Sequence, residues 1–131
     1  MLEPSQFQVN EAWIAFRLND APVSTDADGD FNVLALMDAA SCYILGTEFI
    51  RADSSEPSQL ESVRLLKGGQ SHKQQYPKSL FIPTNQAAGI LSTEAERHGI
   101  KVVRIPGEQL LVFIGEARQG FQEHVGGSKV Q

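Results

Sequence analysis

The sequence predicts an α/β domain in which three antiparallel strands come first, then helices alternating with parallel strands around one mixed five-stranded sheet. Three observations predict it. Val33–Asp38 and Cys42–Ile50 are apolar runs joined by only three residues, Ala39–Ser41, so they must form an antiparallel hairpin. Short apolar runs at Ser79–Ile82 and Ile100–Ile105 are separated by a helix-length segment, the spacing of a right-handed crossover between parallel strands. Leu110, Phe113, Ile114, Ala117 and Phe121 fall at i, i+3, i+4, i+7 and i+11, the stripe of an amphipathic helix.

In chain order, Ala12–Leu18 alternates Ile14, Phe16 and Leu18 with Ala15 and Arg17, which predicts a strand with one buried face. Asn19–Asp30, NDAPVSTDADGD, is rich in turn formers and predicts a loop. Val33–Met37 is apolar on both faces, as in a strand near the middle of a sheet. Serines and Pro57 within Ser54–Pro57 open a helix bearing Leu60, Val63 and Leu66, which Gly68 and Gly69 are expected to stop. Gln70–Lys78 reads as a polar loop. After the strand ending at Pro83, Thr84 or Asn85 caps a helix that runs to His98 and ends at Gly99. The last helix begins near Gly107. The order is β-β-β-α-β-α-β-α, with residues 1–121 as a single domain and 122–131 as a flexible polar tail.

At 131 residues the chain is about one domain long, and 41% hydrophobic with 21% charged residues is ordinary for a folded protein. Sixteen acids against 11 bases give a net charge of -5, which argues against general affinity for polyanions. Cys42 is the single cysteine, so no intrachain disulfide can form, and its apolar neighbours predict a buried, inert thiol. Met1–Asn10 has no basic region followed by a long apolar run, and no stretch approaches the roughly 20 apolar residues of a membrane span. A cytoplasmic location without membrane contact is the expectation.

Local sequence sharpens the fold class. Trp13 opens the first strand, and VLALMDAASCYILG supplies Asp38, Ser41 and Gly46 around the hairpin. With the element order, these residues resemble the ribonuclease H-like superfamily, which includes retroviral-type integrases and transposases. The second half, YPKSLFIPTNQAAGILSTEAERHGIKVVRIPGEQLL, also resembles a bacterial domain family of unknown function. The resemblance covers about residues 12–121. It implies a ribonuclease H-like sheet and, in active members, carboxylates converging on two Mg²⁺ ions about 4 Å apart. In the integrase register the first acid falls at Phe16 and the second near Thr84 or Asn85, none of which is acidic. Glu116 is the stand-in for the third, with Glu108 nearby. A second register takes Asp38 as the first acid, as in resolvase-like members, with Glu48 and Glu116 completing a Mg²⁺ set. The other reading of Asp38 is turn chemistry, a short acceptor binding nearby backbone amides.

The remaining candidates are weaker signals. Asp26, Asp28 and Asp30 resemble a calcium loop, but positions six and twelve from Asp26 hold Phe31 and Met37 instead of Gly and Glu. His72, His98 and His124 lack metal-ligand spacing. His98, in the last turn of its helix, complements the helix dipole, while His72 and His124 are expected in solvent. Arg64, Lys67, Lys73 and Lys78, with His72 and Tyr76, form the one basic segment and offer phosphate contacts, or simply a solvated loop. Glycine-rich phosphate loops and nucleophile elbows are absent. The expectation is therefore a non-catalytic binding or scaffolding domain that needs no cofactor. Its partner would be another protein or a second copy, met along a sheet edge or the final helix. The alternatives are a divalent-metal-dependent nuclease or transposase-like enzyme, and a non-catalytic nucleic-acid-binding module.

Overall fold

A computed structural model of the chain describes residues 1–19, 22–25 and 29–130, the last seven of them as backbone only. Six strands and three α-helices follow in the order β1 (Ala12–Arg17), β2 (Val23–Thr25), β3 (Gly29–Asp38), β4 (Ile44–Arg51), α1 (Gln59–Lys73), β5 (Ser79–Pro83), α2 (Gly89–Arg97), β6 (Lys101–Ile105) and α3 (Leu111–Val130). The core strands lie in the order β4-β3-β1-β5-β6. β1 and β4 pair antiparallel with β3, whereas β5 runs parallel to both β1 and β6.

The loop expected over 19–30 contains a short strand. β3 begins at Gly29, and its extension pairs with Val23–Thr25. β4 occupies one edge of β3, so β1 and β2 must share the other, in tandem. Val-Ser-Thr is too short to show periodicity and owes its strand conformation to this ready-made edge. Asp26 and Asp28 of the expected acidic turn lie outside the described residues.

β1, expected to bury one face, is buried on both because it sits at the centre of the sheet. Strand alternation sends Trp13 and Ala15 to one side with Leu34, Leu36, Leu80 and Ile82, where α1 and α2 cover them through Leu65, Leu66, Leu91 and Ala95. Ile14 and Phe16 point to the other side with Val33, Ala35, Met37 and Phe81, under Leu110, Phe113 and Ile114. The stripe predicted for the last helix is thus the cover of this second face. Phe7 closes its rim, edge-on to Phe81 and Phe113 with ring centroids 5.5 and 6.2 Å away.

Several helix boundaries move. Ser58 caps α1: its hydroxyl accepts from the Glu61 amide at 3.1 Å, and the Glu61 carboxylate accepts from the Ser58 amide at 2.9 Å. The helix runs through Gly68 and Gly69 to Lys73 and ends on Gln74 in the left-handed region, φ 67°. Gly69 is there for packing. A Cβ on it would lie 2.8 Å from Trp13 Cζ3 and Cη2 and from Leu36 Cδ2. α2 starts at Gly89 because Thr84–Gln86 form a turn, with Gln86 N–H donating to the Pro83 carbonyl at 3.1 Å. α3 continues past Phe121 to Val130, so the expected tail is helical in its backbone. No proline interrupts 122–130, and an established helix propagates at little cost. Among the described residues, no helix is long and apolar enough to cross a membrane.

Candidate functional site

Asp38 ends β3 and is completely buried. One carboxylate oxygen accepts from the Asn10 amide at 2.7 Å. The other accepts from the Ser41 amide at 3.0 Å and the Ser41 hydroxyl at 2.7 Å. Asn10, at φ 64°, in turn accepts from Trp13 Nε1 at 2.7 Å and donates to the Tyr76 carbonyl at 3.4 Å. Asp38 therefore closes the β3–β4 turn and ties the chain before β1 to it. This is turn chemistry at a buried corner, and protein donors already use both oxygens.

The three carboxylates of the second register do not converge. Glu48 pairs with Leu34 in the β3–β4 ladder, on the α1 side of the sheet, and its carboxylate accepts from Arg64 Nε at 2.8 Å. Asp38 lies four residues beyond Leu34, about 13 Å along the strand. Glu116 is exposed on α3, across the sheet from Glu48. In the integrase register Phe16 fills the core beneath Phe113, while Thr84 and Asn85 are exposed on their turn. Among the described residues, no group of three or more His, Cys, Asp or Glu side chains could hold a metal ion.

Cys42 precedes β4 in the left-handed region at φ 59°, half-buried rather than inside a strand. Desolvation pushes its thiol pKa up, and the negative charges of Glu116 and Asp38 add to the shift. All three effects favour the thiol over the nucleophilic thiolate. His98 caps the end of α2, stacks on Tyr76 at 4.6 Å and lies 4.0 Å from Glu94. His72 belongs to α1 rather than a loop, and stacks on Tyr43 at 5.0 Å. The basic segment is divided. Arg64 and Lys67 are exposed on adjacent turns of α1, with Arg64 engaged by Glu48. Lys73 lies about 180° around the helix from Arg64, and Lys78 is in the loop before β5.

One cavity, of about 210 Å³, was not foreseen from sequence. It opens at the carboxyl ends of the parallel neighbours β1 and β5, on the α1 side of the sheet. Arg17, Asn32, Glu56, Asn85, Gln86 and Arg118 line it. From β1 the chain turns back into β3 on one side, and from β5 it crosses through α2 to β6 on the other. Such a divergence leaves a crevice between strand ends. Its walls are tied together. The Arg17 amide donates to Gln86 Oε1 at 2.8 Å, and Arg118 donates to the Arg17 carbonyl from Nε at 3.0 Å and Nη2 at 2.8 Å. Arg104 braces the turn from beneath through the Pro83 carbonyl at 3.0 Å and the Gln86 carbonyl. Glu56 accepts from the Ile90 amide at the start of α2, at 2.7 Å. Contacts spanning 69 and 101 residues leave no local signature in sequence.

No protein-family model matches the chain, and no curated protein is similar to it in sequence. Among solved structures, it is similar to a chain in the cryo-EM structure of the simian T-cell lymphotropic virus intasome in complex with PP2A regulatory subunit B56 gamma. The TM-score is 0.60 at 13% identity, over 88% of this chain and 39% of that one. The protein has the ribonuclease H-like fold of the integrase type, and its sheet order of two antiparallel and two parallel pairings around β1 is that fold's order.

Proposed function

We propose that this domain is a non-catalytic binding module on a ribonuclease H-like scaffold. The observation that carries the reading is the fate of the positions where the resemblance puts metal-binding acids. Phe16 is core, Thr84 and Asn85 are neutral, and among the described residues Glu116 belongs to no group of three or more side chains that could hold a metal ion. Two-metal hydrolysis needs several carboxylates on one pair of ions, and a lone glutamate does not supply them. Asp38 does not replace the missing acids, since its oxygens already hold the β3–β4 turn. The edge strand β4, with Phe49 65% exposed, offers a surface for a protein partner or a second copy.

The test is a cleavage assay on single- and double-stranded DNA and RNA with Mg²⁺ or Mn²⁺. The expected outcome is no metal-dependent cleavage above a no-protein control. Cleavage that disappears in a folded Glu116→Ala variant would overturn the reading and make the domain a nuclease. Asp38→Ala is the wrong control, because it attacks the fold itself.

A further inference from the structure

The two outer edges of the core sheet are built differently. β6 is five residues long, exposes Lys101 and Arg104, and is followed at once by Pro106. Short length, a lysine and a proline are the usual guards of an unpaired edge. β4 is eight residues long and has neither lysine nor proline. Its one irregularity, the bulge at Leu45, lies at its start, so Gly46–Arg51 is a regular strand. Among the described residues, nothing pairs with its outer side.

The register fixes what that side presents. The Ala52 amide donates to the Asp30 carbonyl at 2.9 Å, so the backbone at Ala52 turns inward to β3. Alternation then turns the N–H and C=O groups of Ile50, Glu48 and Gly46 inward, and those of Thr47, Phe49 and Arg51 outward. Val33, opposite Phe49, agrees: its carbonyl accepts from the Leu18 amide, on the far side of β3. Thr47, Phe49 and Arg51 also share the sheet face of Val33 and Ala35, where Phe49 is 65% exposed. We propose that a second copy of this chain pairs there, β4 against β4 and antiparallel, about a two-fold axis at Phe49.

That axis makes the edge self-complementary. Phe49 meets the partner's Phe49, and Thr47 meets the partner's Arg51, each as a hydrogen-bonded pair built from groups that already point outward. Arg51 then lies diagonally across from the partner's Phe49, within reach of its ring. Charge favours this meeting place. Two chains of net charge -5 repel unless the surfaces that meet are neutral. The two charged side chains of β4 are both paired within the chain, Glu48 with Arg64 Nε at 2.8 Å and Arg51 Nε with Asp53 at 3.2 Å. An added peptide strand would instead be selected by pockets for its alternate side chains, whereas β4 presents a protruding aromatic. The proposal rests on the binding-module reading, and names a second copy as what the module binds.

The experiment is sedimentation equilibrium of the full chain, joined to a disulfide test of the register. A concentration-dependent dimer is expected. Phe49→Lys sets like charges against each other on the axis and should raise the dissociation constant about tenfold or more. Thr47→Pro removes an outward N–H that the monomer does not use, and should weaken the dimer while circular dichroism stays that of the parent. Lys101→Glu, on the opposite edge, should leave the dimer unweakened. With Cys42→Ser as background, Phe49→Cys should oxidise to a disulfide-linked dimer, because paired residues there stand about 5.5 Å apart between Cα atoms. Thr47→Cys should not, because the two thiols are about four residues, or 13 Å, out of register. A chain that stays monomeric up to about 1 mM would overturn the proposal. So would a dimer indifferent to both Phe49→Lys and Thr47→Pro, or one in which Thr47→Cys crosslinks as readily as Phe49→Cys. Metal-dependent cleavage is read separately. A monomer that does not cleave refutes this interface alone, and a dimer that cleaves refutes the binding-module reading alone.

Discussion

Asp38 determines how the hairpin sequence VLALMDAASCYILG should be read. A carboxylate at this place in a ribonuclease H-like chain invites a metal, yet here it accepts three hydrogen bonds from Asn10 and Ser41 inside the fold. Truncating it strands those donors in a buried corner. Asp38→Ala should therefore cost about 3–5 kcal/mol, a large share of the stability of a small domain. Urea denaturation followed by tryptophan fluorescence checks this, since Trp13 is linked to Asp38 through Asn10. A midpoint equal to that of the parent would refute the structural role. Turn chemistry at Asp38 was legible because its Ser41 partner is three residues away. The Asn10 contact, 28 residues back, was not. Nor was the wall joining Arg17 to Arg118, because nothing in a strand's last residue announces a partner 101 positions on.

At the scale of elements, the apolar pattern predicted most of the sheet and the face of α3, because burial imposes periodicity directly. It failed where a residue serves a neighbour in space. Gly68-Gly69 reads as a helix stop, but α1 continues, and the two glycines have opposite surroundings. Gly68 is exposed with nothing within 4 Å of an added Cβ, while Gly69 lies against Trp13 and Leu36 at 2.8 Å. Gly68→Ala should stabilise by about 0.5–1 kcal/mol through helix propensity alone. Gly69→Ala gains the same propensity but forces α1 off the sheet, at about 1–3 kcal/mol for overpacking. It should be net destabilising. Thermal unfolding of the two single variants reads the contrast, and a stabilised Gly69→Ala would show that the helix-on-sheet contact is loose. β2 is the other omission. Three residues carry too little pattern to be seen, and they are a strand only because β3 extends past β1 to meet them.

For the whole molecule, the ribonuclease H-like order brings the ends of β1 and β5 together beside α3 and leaves there a polar crevice, with no metal-holding group of three or more acids, histidines or cysteines among the described residues. The chain's acids are placed elsewhere: Asp38 in a turn, Glu48 on Arg64, Glu56 at the start of α2. The fold was legible because element order survives substitution at individual positions. The function was less so, since it depends on which side chains a shared scaffold carries. A titration with Mn²⁺ followed by paramagnetic broadening of backbone amides tests the central claim most directly, because it reads metal binding whether or not any substrate is known. The account predicts no saturable broadening centred on the amides of Phe16, Asn85 and Glu116. Broadening that converges on those three at low Mn²⁺ would contradict it.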